Sequence, residues 1–158
     1  MTVATHALSY RTIDLQADAE RAVAHHLDAC VCSFGDAARF QGARRYLRWL
    51  ERKLEEFPDG FLMAFIGDRC VGQLELEVPY GLETGYANLF YVTEAFRGMG
   101  FGRILHGRAE VYFKSWEANQ ITLHCSPDNE RALGFYRSLG YRRVDSGHKE
   151  LWEMSKTI

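Results

Sequence analysis

The chain has 158 residues, 47% apolar and 25% charged, with a formal net charge of -2. This length suits a single domain spanning residues 1–158 with a real core, and the near-neutral charge excludes the basic footprint of a nucleic-acid binder. No apolar run reaches the ~18 residues of a membrane span, and the N-terminal stretch lacks the basic start and apolar block of a signal peptide, so the expected location is cytoplasmic with no membrane partner.

The elements follow in chain order. "LSYRTI" (Leu8 to Ile13) alternates as an opening strand does. Asp14 stands where a helix can begin, and from Gln16 to Val31 the residues Ala19, Val23, Leu27 and Cys30 recur at helical spacing. "CSFGDAARF" reads as a loop. A second helix carries Tyr46, Leu47, Leu50, Leu54 and Phe57 on one face and stops at "FPDG". "FLMAFI", a Gly67-Asp68 turn and "CVGQLELEV" predict a hairpin. "YANLFYV" (Tyr86 to Val92) adds the third strand of a meander. A helix is expected from about Gly100 to Trp116, a strand at "ITLHCS" (Ile121 to Ser126), and a helix in "PDNERALGFYRSLG" that Asp128 or Asn129 caps and Gly140 closes. "YRRVDSGHKELWEMSK" reads as a last hairpin turning at Ser146-Gly147. The order is strand, two helices, three meander strands, helix, strand, helix, two strands. That is an α/β fold with a mixed sheet of about six to seven strands and about four helices.

The cysteines are Cys30, Cys32, Cys70 and Cys125. Their spacing does not supply the two tight pairs of a zinc site, so reduced thiols and no metal are expected. His25 and His26 are adjacent and point in different directions on a helix, so they make no ligand pair.

The informative stretch is "FRGMGFGRILHGRAE". Strand, glycine-rich loop and helix form an anion-binding arrangement, because glycine lets backbone approach a ligand and the first helical turn offers unpaired N–H groups. A P-loop requires a Lys-Ser or Lys-Thr pair after the glycines, which is missing. A dinucleotide fingerprint requires a third glycine, and Arg103 stands at that position when counting from Gly98. The pattern that fits is R-x-x-G-x-G, from Arg97 through Gly98, Met99, Gly100 and Phe101 to Gly102.

"LFYVTEAFRGMGFGRIL" resembles the acetyl-CoA-binding motif of the GNAT (GCN5-related) N-acetyltransferase superfamily. "SPDNERALGFYRSLGYRRV" resembles the motif that follows it, N-x-x-A-x-x-F-Y-x-x-x-G-[FY]. The resemblance covers roughly residues 89–144, and the element order agrees along the whole chain. It implies a GNAT fold and acetyl-CoA as cosubstrate. Backbone N–H groups from Gly98 to Arg103 would hold the pyrophosphate, with charge from Arg103. Phe90, Tyr91 and Val92 would pair their backbone with the pantetheine arm, which lies where two parallel strands splay apart. Asn129 would bond the pantetheine, where the plainer reading is a helix cap.

Acyl transfer to an amine needs a neutral amine, although a lysine-like amine has a pKa of ~10.4. It also needs a stabilised oxyanion and a proton for the thiolate. The resemblance makes Tyr136 the general acid; read alone, Tyr136 is a half-buried packing aromatic. His124 occupies the place where some family members carry a glutamate base, and a hydrogen-bonded structural role is its alternative. Glu75 and Glu77 share one strand face and are further candidates, against a solvated sheet face. Phe34, Asp36 and Phe40 are candidates for the acceptor pocket. The expected activity is direct acetyl transfer to a primary amine, on a small molecule or a peptide, in a ternary complex. A coenzyme A-binding or sensing module without turnover is the alternative. Cys125 near the cleft raises the question of a covalent route. A homodimer is possible through the exposed edge of the last hairpin.

Overall fold

The computed structural model describes residues 7–147 and 150–158. The chain runs β1 (Ser9–Thr12), α1 (Leu15–Phe34), α2 (Ala43–Glu56), β2 (Phe61–Ile66), β3 (Arg69–Glu77), β4 (Thr84–Val92), a 3-10 turn (Glu94–Phe96), α3 (Phe101–Ser115), β5 (Gln120–Cys125), α4 (Glu130–Ser138), β6 (Arg142–Val144) and β7 (Trp152–Thr157). Among the described residues, seven strands form one sheet in the order β1-β2-β3-β4-β5-β7-β6. The element order expected from sequence is the observed one.

Local chemistry sets the boundaries. Asp14 caps α1 by accepting from the Gln16 N–H at 2.9 Å, and Gly35 ends that helix in the left-handed conformation. α1 therefore runs three residues past Val31, into the stretch expected to be loop. Ile66 pairs with Arg69, so Gly67-Asp68 is the whole β2–β3 turn. Val144 lies opposite Glu153, so the last connection is wider than a turn at Ser146-Gly147 and passes through residues 148–149, which lie outside the described residues.

Two cores sandwich the sheet. Leu62, Leu74, Leu76, Ala87, Ile121 and Leu123 meet Leu105, Phe113 and Leu133 from α3 and α4. The opposite face meets α1 and α2 through Ile13, Ala22, Tyr46, Leu50, Phe61 and Met63. Full burial of one such side chain contributes about 1.5–3 kcal/mol.

The helix expected from Gln16 to Val31 is present as α1, and the side it turns inward is mostly polar. Its buried residues are Asp18, Ala22 and His25, whereas Ala19, Val23, Leu27 and Cys30 are only partly covered. Arg11 and Gln73 on the sheet stand opposite Asp18 and His25, so these polar groups pack with their bonds satisfied. Asp18 accepts from both Arg11 nitrogens at 2.5 and 2.7 Å, from the Asp14 N–H at 2.9 Å and from Arg21 at 3.1 Å. His25 Nδ1 lies 2.9 Å from Gln73 Oε1.

β4 and β5 are parallel and pair at three positions only, Thr84 to Tyr86 with Gln120 to Thr122. Beyond them β4 continues to Val92 and β5 to Cys125. The pairing of β3 with β4 shifts register between Glu75 and Leu76, so β4 bulges around Asn88. A wedge therefore opens between the C-terminal ends of β4 and β5.

Candidate functional site

The glycine loop closes the wide end of this wedge. Gly98 and Gly100 adopt φ of 74° and 87°, conformations that a side chain resists. Gly102 has a different reason: a Cβ there would sit 3.2 Å from the Phe135 ring. α3 begins with Gly100 as its N-cap and has no side-chain cap. Among the described residues, the N–H groups of residues 98–103 meet no acceptor at hydrogen-bond geometry. A row of unpaired donors at the positive end of a 15-residue helix suits a diphosphate. Phe101 is partly covered and meets Phe96 edge-on, while Met99 is exposed.

Arg97 and Arg103 behave differently from simple phosphate ligands. The Arg97 guanidinium turns away from the row of amides. Its Nε donates to the Val92 carbonyl at 2.9 Å and its Nη2 to Asp28 at 2.5 Å. Burial is the largest single influence and opposes its charge, but the bond to Asp28 together with the electrostatic pull of Cys32, Asp28 and Tyr91 outweighs it and raises its pKa. Arg103 is exposed, beside the loop, and donates to the Ser138 hydroxyl at 2.9 Å.

Tyr136 projects from α4 toward the wedge. Its ring lies 6.3 Å from Phe90 and 5.4 Å from Tyr141, centroid to centroid. Burial pushes its hydroxyl pKa well above the ordinary value, and the neighbouring Cys125 adds to this. Burial also pushes the Cys125 thiol up, to about 11, so it stays protonated near neutrality. Asn129 caps α4, its Oδ1 accepting from the Ala132 N–H at 3.2 Å. Phe90 and Val92 pack toward the α3 side, and Tyr91 points to the α1 side.

His124 faces opposite to Ile121, Leu123 and Cys125, as strand alternation requires. Its Nδ1 lies 2.7 Å from the Tyr86 hydroxyl, and its Nε2 lies 3.9 Å from a Glu153 oxygen. Tyr86 and Glu153 escaped the sequence reading because β4 and β7 come beside β5 only through the sheet order.

Glu75 and Glu77 do share a face, and α2 packs over it, which corrects the reading of a solvated sheet face. Glu75 is 1% exposed, with its Oε1 accepting from the Tyr46 hydroxyl and from Gln73 Nε2. Burial raises its carboxyl to about 7. Tyr46 lies over it. Glu77 is tied to Lys53 and Asn88, at 3.0 and 2.9 Å. Of the acceptor-pocket candidates, Phe34 stacks under Arg39, Asp36 caps the Ala38 N–H, and Phe40 packs beside His26. Each has a local structural job.

Sequence reasoning also missed Asp28. It accepts from the Tyr91 hydroxyl and from Arg97, both at 2.5 Å, and those bonds, Tyr91's first, hold its carboxyl below the usual range. Among the described residues, no group of three His, Cys, Asp or Glu side chains is placed to hold a metal. No helix among them is long and apolar enough to cross a membrane.

Comparison with known proteins bears on the same region. A family model described as the acetyltransferase (GNAT) family matches residues 21–141. An acetyltransferase of Pectobacterium atrosepticum is 33% identical over 96 residues, covering 61% of this chain and 67% of that protein. One of Yersinia enterocolitica is 30% identical over 97 residues, with the coverage again 61% and 67%. Among solved structures, Ard1 from Thermoplasma volcanium superposes with a TM-score of 0.74 at 19% identity, covering 96% of this chain and 98% of that one. The PaiA N-acetyltransferase of Thermoplasma acidophilum, solved with coenzyme A, gives 0.70 at 17% identity, covering 96% and 99%. At such identities the structural likeness shows the fold.

Proposed function

The chain belongs to the acetyltransferase (GNAT) family, and from that premise we propose that it transfers the acetyl group of acetyl-CoA to a primary amine by direct attack in a ternary complex. The observation that carries this reading is the row of unpaired amides at residues 98–103, set at the mouth of the β4–β5 wedge with Tyr136 beside it. Those amides hold the diphosphate. The backbone of Phe90, Tyr91 and Val92 receives the pantetheine arm, and one of its N–H groups steadies the oxyanion of the thioester carbonyl. Asn129 lies at the α4 start, where its side chain borders the arm.

Acetyl-CoA supplies the activated acyl group. The amine nitrogen bonds to the carbonyl carbon and the carbon–sulfur bond breaks. Tyr136 gives its proton to the departing thiolate. Burial keeps that hydroxyl protonated until it is needed, and the same apolar surroundings raise the thiolate's demand for a proton. The amine's proton passes to His124. Tyr86 covers Nδ1, so the proton arrives by way of that hydroxyl, and Glu153 steadies the ring from the other side. Cys125 takes no part as a nucleophile, since its thiol is buried and protonated. The acceptor is a small-molecule or peptide amine.

The test begins with thermal shifts in acetyl-CoA, coenzyme A and NAD. A midpoint raised by the first two and not by NAD supports the site by mass action. An amine panel follows. Tyr136→Phe should lower kcat by about 10²–10⁴-fold with coenzyme A affinity unchanged, and His124→Ala should remove the acid limb of the pH–rate profile. Coenzyme A binding with no turnover on any amine supports the sensing module instead. No shift with any ligand overturns the cofactor assignment.

A further inference from the structure

The cofactor loop is also anchored from the far side of the sheet. α1 brings Asp28 to the end of β4, although it lies 63 residues from Tyr91 and 69 from Arg97 in sequence. A single oxygen, Oδ2, accepts from both, each at 2.5 Å. Arg97 Nε holds the Val92 carbonyl at 2.9 Å, and the guanidinium carbon lies 5.5 Å from the Tyr91 ring centroid. Arg97 Nη1 also donates to Cys32 Sγ at 3.6 Å, so the guanidinium is fixed at three nitrogens, by β4 on one side and α1 on the other. Arg97 immediately precedes Gly98, where φ turns positive. The positions where Gly98 and Gly100 would carry a Cβ have nothing within 4 Å, so nothing packs against the loop at those two turns, and its contacts begin at Phe101 and Gly102. Its orientation comes from its two ends, α3 and Arg97. Backbone donors serve an anion well only when they are already aimed.

We infer that Asp28 is a positioning residue for the cosubstrate: through Arg97 and Tyr91 it sets the loop 98–103 and the end of β4 at the angle that receives the diphosphate and the arm. This rests on the coenzyme A reading of the loop. Asp28 carries a negative charge near a site for a polyanion. If charge alone mattered, removing it would tighten binding. If positioning matters, removing it weakens binding, so the sign of the effect decides.

The test is calorimetric titration of coenzyme A into the wild-type chain and Asp28→Asn, with the unliganded melting midpoint of each. The Asp28 side chain is 38% exposed, and asparagine keeps its shape, so the fold tolerates the change. Losing a charge-assisted bond to Arg97 should raise Kd about tenfold or more with the midpoint unmoved. Arg97→Met should give a comparable loss, and the double variant should bind no worse than the weaker single, because both cut the same tether. Tyr91→Phe, which changes no charge, should weaken binding less but in the same direction. Unchanged or tighter binding in Asp28→Asn overturns the inference, as do losses that add in the double variant. A wild-type chain that binds no coenzyme A overturns the cofactor reading beneath it.

Discussion

Replacing Glu75 by glutamine should reshape the dependence of stability on pH. Glu75 is 1% exposed, between β3 and α2. Burial is the largest influence on its carboxyl and raises it; bonds from Tyr46 and Gln73 oppose, Glu77 adds a further push, and the result is about 7 against an ordinary 4.5. The folded chain therefore keeps this proton where the unfolded chain has lost it. The group's stabilising contribution is complete below pH 4.5 and is lost as pH rises through about 7. A carboxyl moved from 4.5 to about 7 corresponds to about 3 kcal/mol. Glutamine cannot ionise, and its oxygen can accept both existing bonds. His25, His26 and His106 are pushed down by burial, His106 to about 4. Their contribution has the opposite sign, present above 6.5 and lost as pH falls, and it is common to both proteins. The difference between variant and wild type isolates residue 75. Urea unfolding followed by tryptophan fluorescence should show the Glu75→Gln advantage growing by about 3 kcal/mol from pH 4.5 to about 7, then levelling. Parallel profiles would refute the reasoning: Tyr46 and Gln73 would then hold Glu75 ionised in the folded chain throughout.

Two glycines separate loop conformation from helix propensity. Gly100→Ala forces a side chain onto a φ of 87° and should cost about 1–2 kcal/mol, with a smaller thermal shift from coenzyme A. Gly107→Ala, inside α3 with open space where the Cβ would go, should raise unfolding stability by up to about 1 kcal/mol. For the cysteines, mass spectrometry after brief alkylation near neutrality should find exposed Cys32 modified before buried Cys125. Cys125→Ser should retain acetyl transfer, and no acetyl-enzyme should accumulate; trapping one on Cys125 would reverse the direct-attack proposal.

What sequence reveals here is whatever repeats locally. Tyr46, Leu47, Leu50, Leu54 and Phe57 announce α2 by period, and Gly67-Asp68 announces its hairpin by turn chemistry. The glycines of the loop announce themselves because backbone that must lie bare needs them. The inner stripe of α1 does not, since Asp18 and His25 look like solvent-facing residues until Arg11 and Gln73 are placed opposite them. Glu75 reads as part of a solvated face because nothing at position 75 reports that Tyr46 will lie over it. The Arg97 side chain is the same case: the motif reads its backbone, and only the fold supplies Asp28. Polar pairs across 29 to 69 residues carry no period, so they become visible only when helix and sheet are docked.

Because β4 and β5 share three rungs, the sheet is mechanically two leaves hinged along one short seam. β2, β3 and β4 form a meander of short chain separations, and β5, β7 and β6 close wholly within the C-terminal third. Either leaf can assemble without waiting for the other. Among the described residues the joint between them is the parallel pairing, which requires a helical crossover, and it holds three rungs against the six between β5 and β7. Changing the angle of the wedge breaks none of the rungs within a leaf. A molecule lying in it acts as a splint, and the energy with which it sets that angle is returned as rigidity of the whole sheet.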